Sequence, residues 1–159
     1  MAIDWSIKPA APADAAAMRQ CVHEAYVHYV ERMGQTPGPM LDDYDAVASR
    51  EGSFVAMTAA GDVVGILVMI KSPAQMLLDN IAVAPTCQGQ GLGAALLKLA
   101  DQYALDHGFS ALDLYTHEKM TENIAMYARA GFTETHRVNE EGFARVYMRK
   151  VLDPKANHL

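Results

Sequence analysis

Three glycines stand at alternate positions, Gly89, Gly91 and Gly93, within the stretch VAPTCQGQGLGAALLKLA that covers residues 83 to 100. An apolar run precedes them, and leucines and alanines at helical spacing follow them. Glycine is a poor residue with which to open a helix, except where something must come very close to the backbone. The pattern therefore predicts a strand, a glycine loop and a helix, with a ligand close to the loop.

The rest of the chain predicts strands and helices on both sides of this loop. A first strand precedes a helix that ends at Gly34 and a short helix capped by Asp42 or Asp43. Three strands then lead to the loop, and the helix after it ends at Gly108. A strand, a helix ended by Gly131 and a last hairpin follow. Short turns make neighbouring strands antiparallel, whereas the crossover at the loop must be parallel. We expect an α+β fold, a mixed sheet of about seven strands flanked by about four helices.

Composition narrows the class of protein. A chain of 159 residues predicts a single domain, residues 1–159, and 51% hydrophobic and 20% charged residues are typical of a globular protein. No apolar run approaches the ~20 residues of a membrane span, and the N-terminus does not resemble a signal peptide. A net charge of -6 argues against nucleic acid and favours a cationic partner. Two distant cysteines and scattered histidines predict no metal site and a cytoplasmic protein with reduced thiols.

Several kinds of site use a loop of this type. The glycines can simply form a tight turn, whereas a Walker phosphate loop is excluded because no Gly-Lys-Ser/Thr follows. A dinucleotide site is a rival, since Gly89, Gly91 and Ala94 fit G-x-G-x-x-G/A. Against it, the first glycine does not follow its strand at once, and three strands precede the motif. No acidic residue caps the next strand at the expected distance, since Asp113 lies inside that strand. Backbone amides from Gln88 to Gly93 at a helix N-terminus favour a pyrophosphate instead.

The run from Gln88 to Gly93, QGQGLG, resembles the Q/R-x-x-G-x-G/A loop of the GNAT N-acetyltransferase superfamily, which binds the pyrophosphate of acetyl-CoA. The preceding LDNIAVAP looks like that family's fourth strand. The later ENIAMYARAGF resembles its N-x-x-A-x-x-x-Y-x-x-x-G-F segment, with a shorter spacing before Tyr127. The similarity extends from about Ile3 to Leu152. It implies a GNAT-like fold in which the fourth and fifth strands splay apart to admit the cofactor.

The same resemblance implies a cofactor site. The backbone of residues 81–83 would pair with the pantetheine arm, as a strand adds to a sheet edge. Asn123 would bind the pantetheine or phosphate end and Tyr127 would lie near the sulfur, one helical turn away on the same face. Family members often carry Arg or Lys where this chain has Gln88 and Gln90, so the phosphate site here must depend on backbone amides. The expected cofactor-binding residues are Ile81, Ala82, Val83, Gln88, Gly89, Gln90, Gly91, Leu92, Gly93, Asn123 and Tyr127.

Acetyl transfer to a primary amine requires a base, because an amine of pKa about 10.4 arrives protonated. Asp79 is the first candidate for this base, and Glu118 and His117 follow it. A backbone amide near Ile81 would stabilise charge that develops on the thioester oxygen. Tyr127 would donate a hydrogen bond to the departing sulfur. We therefore expect Tyr127 and Asp79 to be the catalytic residues.

The expected function is that of an acetyl-CoA-dependent N-acetyltransferase, in which an amine attacks directly in a ternary complex. The acceptor is a small-molecule or peptide amine of unspecified identity, no nucleic acid or membrane is expected as a partner, and a homodimer is compatible with the sequence. The rival from another class is a non-catalytic acyl-CoA sensor or interaction module, because a fold does not by itself determine function. A dinucleotide-dependent oxidoreductase ranks third.

Overall fold

The computed structural model describes residues 4–154 and has the expected order of elements. One strand and two helices come first, then three strands, a helix, a strand, a helix and two strands. The strands are β1 (Trp5–Pro9), β2 (Ser53–Thr58), β3 (Val63–Lys71), β4 (Met76–Val83), β5 (Ala111–His117), β6 (Thr133–Glu140) and β7 (Phe143–Val151), and the helices are α1 (Ala15–Met33), α2 (Tyr44–Ala48), α3 (Leu92–Asp106) and α4 (Thr121–Arg129).

The seven strands form one mixed, open sheet in the order β1-β2-β3-β4-β5-β7-β6. The pairs β1–β2, β2–β3, β5–β7 and β6–β7 are antiparallel. β4 and β5, which α3 connects, are parallel, with Leu77 opposite Asp113. The prediction of a mixed sheet with a parallel crossover at the glycine loop is therefore confirmed. The insertion of β7 between β5 and β6 was not predicted.

The first helix buries the apolar side that its sequence predicts. α1 ends at Gly34, which has a φ of 68° and caps the helix in the left-handed conformation. Met33, the last residue of the predicted stripe, is only half-buried. α2 is capped by Asp43, whose carboxylate accepts a hydrogen bond from the backbone N–H of Asp45. The predicted core residues of α1 that are buried are Met18, Cys21, Val22, Ala25, Tyr26 and Tyr29.

The third helix is rotated relative to its predicted stripe. Leu92 and Leu96 are buried as expected, whereas Ala95, Leu99 and Tyr103 are only half-buried. The buried positions after Leu96 are Leu97, Ala100, Asp101 and Ala104. The first turns of the helix thus bury the predicted residues. Further along, the buried face contains the small residues Ala100 and Ala104 instead of Leu99 and Tyr103.

The chain divides into two compact units. The first comprises Met1–Met69 and Asn80–Leu96, and the second comprises Ile70–Asp79 and Leu97–Leu159. The first unit holds β1, β2, α1, α2 and the glycine loop, and the second holds β5, β6, β7 and α4. The single domain expected over residues 1–159 stays a prediction.

Candidate active site

The glycine loop requires glycine for conformational reasons at two positions. β4 ends at Val83, a short 3-10 turn spans Pro85–Cys87, and α3 begins at Leu92. Gly89 and Gly91 have φ angles of 78° and 88°, a region in which residues with a side chain are strained. A Cβ at either position would have no heavy atom of the protein within 4 Å. The space beside both glycines is therefore open to a ligand.

The start of α3 provides backbone donors beside this open space. The backbone N–H of Ala95 donates to the Gly91 carbonyl at 3.0 Å, which is a hydrogen bond of the first helical turn. The N–H groups of residues 92–94 precede it and have no acceptor within the helix. Together with the positive end of the helix dipole, such groups form a site for an anion. A pyrophosphate fits this arrangement.

The start of α3 is held close to the sheet by Gly65 in β3. A Cβ added to Gly65 would lie 3.0 Å from Leu92 Cδ2 and 3.3 Å from Leu96 Cδ1. A Cβ there would require the side chains of Leu92 and Leu96 to shift by a few tenths of an ångström. Sequence analysis did not assign this role to Gly65. The available signal was an isolated glycine within an apolar strand, which indicates a close approach.

The side chains of Gln88 and Gln90 contact the loop itself. Gln88 Nε2 donates to the Val83 carbonyl, and Gln90 Nε2 donates to the Thr86 carbonyl, both at 3.2 Å. Both amides thus brace the segment between β4 and α3. Neither position carries the positive charge that the family often has, so the backbone N–H groups are the donors available for a phosphate.

The end of β4 is buried on both of its faces. Asn80, Ile81 and Ala82 are buried in succession, whereas buried and half-buried residues alternate from Met76 to Asp79. The Ile81 carbonyl accepts a hydrogen bond from the Tyr26 hydroxyl at 2.9 Å. Sequence analysis missed Tyr26 and Asn80 as residues that hold this segment. The signal was a polar Asn within an apolar strand, because buried polar groups require partners.

Asn123 and Tyr127 lie one turn apart on α4, in the second unit. Tyr127 is 4% exposed, and its ring packs against that of Phe132 in a T-shaped arrangement with centroids 5.7 Å apart. Asn123 is half-buried, and its Nδ2 lies 3.9 Å from Met120 Sδ. Asn123 and Tyr127 share a helical face as expected, and their functional roles stay predictions.

The three candidates for the base differ in their surroundings. Asp79 is half-buried in the middle of β4. Glu118 is exposed, and its Oε2 lies 3.8 Å from Nη1 of Arg137. Burial lowers the pKa of His117, Glu118 raises it and Lys119 lowers it further. His117 Nδ1 also accepts the backbone N–H of Lys119 at 3.0 Å, so the neutral ring carries its proton on Nε2 and has no free lone pair. This geometry disfavours His117 as the base.

Residues 4–154 show neither of two other kinds of feature, a metal cluster and a membrane-spanning helix. No group of three or more His, Cys, Asp or Glu side chains placed to hold a metal ion occurs in this range. None of the helices described there is long and apolar enough to cross a membrane.

Comparison with known proteins identifies the family. The model of the acetyltransferase (GNAT) family matches residues 16–132, which include the glycine loop and α4. The chain belongs to the GNAT acetyltransferase family. This match confirms the resemblance on which the expected fold and cofactor site were based, while the assignment of individual site residues stays a prediction.

Two relatives and one solved structure illustrate the relationship. The chain is 30% identical over 129 residues to probable N-acetyltransferase family 8 member 5 of Mus musculus, covering 77% of this chain and 56% of that protein. It is also 30% identical over 164 residues to aminoglycoside N(6')-acetyltransferase type 1 of Stenotrophomonas maltophilia, covering 95% and 96%. PaiA N-acetyltransferase of Thermoplasma acidophilum, solved in complex with coenzyme A, has the same fold with a TM-score of 0.72 at 15% identity, covering 94% and 99%. The chain spans about half the length of the mouse relative.

Proposed function

We propose that this GNAT protein is an acetyl-CoA-dependent N-acetyltransferase that acts on a primary amine by direct attack in a ternary complex. The observation that carries the proposal is the pair of left-handed glycines, Gly89 and Gly91, with open space beside them at the start of α3. Membership of the family and the coenzyme A complex of a protein with the same fold support the choice of cofactor. Bound acetyl-CoA would supply an acetyl group activated as a thioester.

The cofactor-binding residues in this proposal are those implied by the family resemblance. Backbone N–H groups of the glycine loop and the first turn of α3 hold the pyrophosphate, and the backbone of residues 81–83 pairs with the pantetheine arm. Asn123 binds the pantetheine or phosphate end. Because Gln88 and Gln90 are neutral and contact loop carbonyls, we propose that the loop attracts the phosphates through dipoles rather than charges.

For the chemical step we propose Tyr127 and Asp79. Tyr127 is buried, so a hydrogen bond from its hydroxyl to the departing sulfur would act where water screens it little. A tyrosine of pKa about 10 facing a thiol of pKa about 8.5 gives up its proton slightly uphill, so its first role is that of a hydrogen-bond donor. Asp79 takes the amine proton, directly or through water.

The acceptor that we propose is a small cationic amine or a peptide amine. The net charge of -6 favours a cationic ligand, and the Stenotrophomonas maltophilia relative is named as an aminoglycoside acetyltransferase. The two cysteines, Cys21 and Cys87, are free and buried, which suits the reducing cytoplasm in which we place the protein.

A panel of amines tests the proposal. Purified protein is given acetyl-CoA and, in turn, an aminoglycoside, a polyamine, an amino acid and a peptide with a free N-terminus, and released thiol is measured. We expect thiol release with at least one amine above the rate without acceptor, together with an acetylated product in the mass spectrum. Tight binding of CoA without thiol release from any amine would favour the sensor alternative. Absence of CoA binding would contradict both.

A further inference from the structure

A chain of buried hydrogen bonds in the first unit connects α1, β4 and the turn before α2. The Tyr26 hydroxyl lies 2.9 Å from the Ile81 carbonyl oxygen and 3.0 Å from Asn80 Oδ1. Asn80 Nδ2 donates to the Tyr44 hydroxyl at 3.1 Å, and that hydroxyl donates to the Pro39 carbonyl at 2.6 Å. The three side chains are 5% or less exposed, so water does not compete for these bonds.

The direction of each of these hydrogen bonds follows from the Pro39 carbonyl. A carbonyl only accepts, so the Tyr44 hydroxyl donates its single proton there and must accept from Asn80. The Asn80 amide therefore presents its NH2 group to Tyr44 and its oxygen to Tyr26. The Tyr26 hydroxyl then has to donate, and its proton is shared between the Asn80 and Ile81 oxygens. Removal of either hydroxyl frees the Asn80 amide to reorient.

The network ends on the peptide between Ile81 and Ala82. No cis peptide occurs in the described chain, so the Ile81 carbonyl and the Ala82 N–H point in opposite directions. Because Tyr26 holds the carbonyl towards α1, the Ala82 N–H is aimed to the other side of β4. The orientation of this peptide is thus set by a side chain of α1, at the part of β4 where Asn80, Ile81 and Ala82 are all buried.

We infer that Tyr26, Asn80 and Tyr44 are positioning residues for acetyl transfer, which orient the Ile81–Ala82 peptide and tie it to the turn Gly38–Leu41. The inference rests on the proposed function and on the expectation that a backbone amide near Ile81 stabilises charge on the thioester oxygen. A peptide that is oriented before binding needs no reorganisation when charge develops beside it. A misplacement of about 1 Å in such a contact is enough to lower a rate ~10²-fold.

The first test compares Tyr26→Phe with a matched control, Ser53→Ala. Tyr26→Phe keeps the ring and removes the donor to Ile81. Ser53 is also buried in the first unit, and its hydroxyl donates to the Val47 carbonyl at 2.7 Å, outside the network. At saturating acetyl-CoA and amine, we expect Tyr26→Phe to lower kcat at least ~10-fold. Ser53→Ala should leave kcat and the Kd for CoA unchanged. In Tyr26→Phe the Kd for CoA should change far less than kcat, because the pyrophosphate contacts of the glycine loop lie elsewhere.

Expressing kcat per CoA-binding site, measured by calorimetry, removes the effect of any unfolded fraction. Equal kcat values for Tyr26→Phe and Ser53→Ala would overturn the inference. So would a loss of CoA affinity that accounts for the whole change in Tyr26→Phe, because that result indicates a role in folding the site rather than in orienting the peptide.

A double variant tests whether the hydrogen bonds through Asn80 couple Tyr26 to Tyr44 and the turn Gly38–Leu41. Tyr26 and Tyr44 both act through Asn80, so their effects on kcat should not be independent. We expect Tyr44→Phe to lower kcat in the same direction, and the double variant to lose less than the product of the two single losses. A loss equal to that product would show that the two hydroxyls act separately, and the network would be rejected.

Failure of the proposed function would give a different experimental result from failure of this inference. An unsubstituted protein that binds CoA but releases thiol with no amine would contradict N-acetyl transfer. The network is then tested by the amide resonance of Ala82, which Tyr26→Phe should shift and Ser53→Ala should not, both without ligand and with CoA. An Ala82 resonance that is the same in both variants would overturn the inference without reference to activity.

Discussion

The backbone N–H of Lys119 donates a 3.0 Å hydrogen bond to Nδ1 of His117, which is the last residue of β5. A second proton on the ring would have to sit on Nδ1 and face this N–H. Burial, which is the largest influence, also lowers the pKa of His117. Protonation of His117 therefore requires the loss of this contact, and the folded protein resists it.

The first prediction concerns stability at mildly acidic pH. The unfolded chain binds a proton at His117 near pH 6.5, whereas the folded chain does so only at lower pH. Stability should therefore fall as pH decreases from about 6.5 towards the folded pKa, because the unfolded state takes up the proton first. His117→Asn keeps an acceptor for Lys119 and does not titrate. Urea midpoints measured between about pH 5 and 7.5 should fall less steeply in the variant, and parallel curves for the two proteins would refute this reading.

The second prediction concerns the glycine loop. Gly91→Val places a branched side chain in the open space beside α3, where we place the pyrophosphate. We expect the affinity for CoA, measured by calorimetry, to fall more than ~10-fold, which is about 1.4 kcal/mol. Because Gly91 has a φ of 88°, the substitution also strains the backbone.

Gly108→Val is the matched control for that strain. Gly108, just beyond the other end of α3, has a φ of 84°, and a Cβ there would also have no heavy atom within 4 Å. Both variants should lose stability through strain, roughly 1–3 kcal/mol each. Only Gly91→Val should lose CoA affinity, and equal affinity in the two folded variants would exclude the loop as the phosphate site.

The third prediction concerns the charge of the loop. Gln90→Arg should tighten CoA and steepen the dependence of its affinity on salt, because a charge replaces a dipole beside the phosphates. Gln102→Arg adds the same charge on α3, about 15 Å further along the helix and beyond the ~10 Å screening length at 0.1 M salt. The control should change neither quantity. Weaker CoA binding by Gln90→Arg at low salt would mean that the side chain does not face the phosphates.

The fourth prediction concerns Tyr127. Tyr127→Phe keeps the ring that packs against Phe132 and removes the hydroxyl. If the hydroxyl acts on the sulfur only as charge develops, kcat and kcat/KM should fall together by ~10²-fold or more, while acetyl-CoA affinity barely changes. The rise of the rate with pH belongs to the amine or its base and should persist.

Tyr147→Phe provides the control for Tyr127. It also removes a hydroxyl in the second unit, one that donates to Glu140 within the last hairpin. Its kcat should equal that of the unsubstituted protein. A Tyr127→Phe enzyme with normal turnover would leave Tyr127 a packing residue and would strengthen the sensor alternative.

Local chemistry explains why much of the fold could be predicted. The helical spacing from Met18 to Tyr29 predicted the buried side of α1, because side-chain periodicity follows from helix geometry alone. Gly34, Gly91 and Gly108 were placed correctly at helix ends, since the left-handed conformation favours glycine in any context. The glycine loop and the family resemblance could be recognised because both depend on residue type and local spacing.

Interactions between residues that are distant in sequence determine the strand order, the buried face of α3 beyond Leu96 and the partners of Asn80, none of which was predicted. Nothing local indicates that β7 lies between β5 and β6, or that α3 turns Leu99 partly towards solvent. The partners of Asn80 come from α1 and α2, more than thirty residues away in the chain.

The sequence by itself determined the order of elements, the glycine loop and the membership of a family, because these depend on residue type and spacing. Only the tertiary structure decided which groups hold the end of β4 and the residues just after β5. The Ile81 carbonyl binds Tyr26, and the nitrogen of His117 that accepts Lys119 is not free to act as a base. The physical reason is that a buried polar group requires a hydrogen-bond partner. The identity of that partner depends on packing between segments that are far apart in sequence, or on turns whose geometry depends on the rest of the fold.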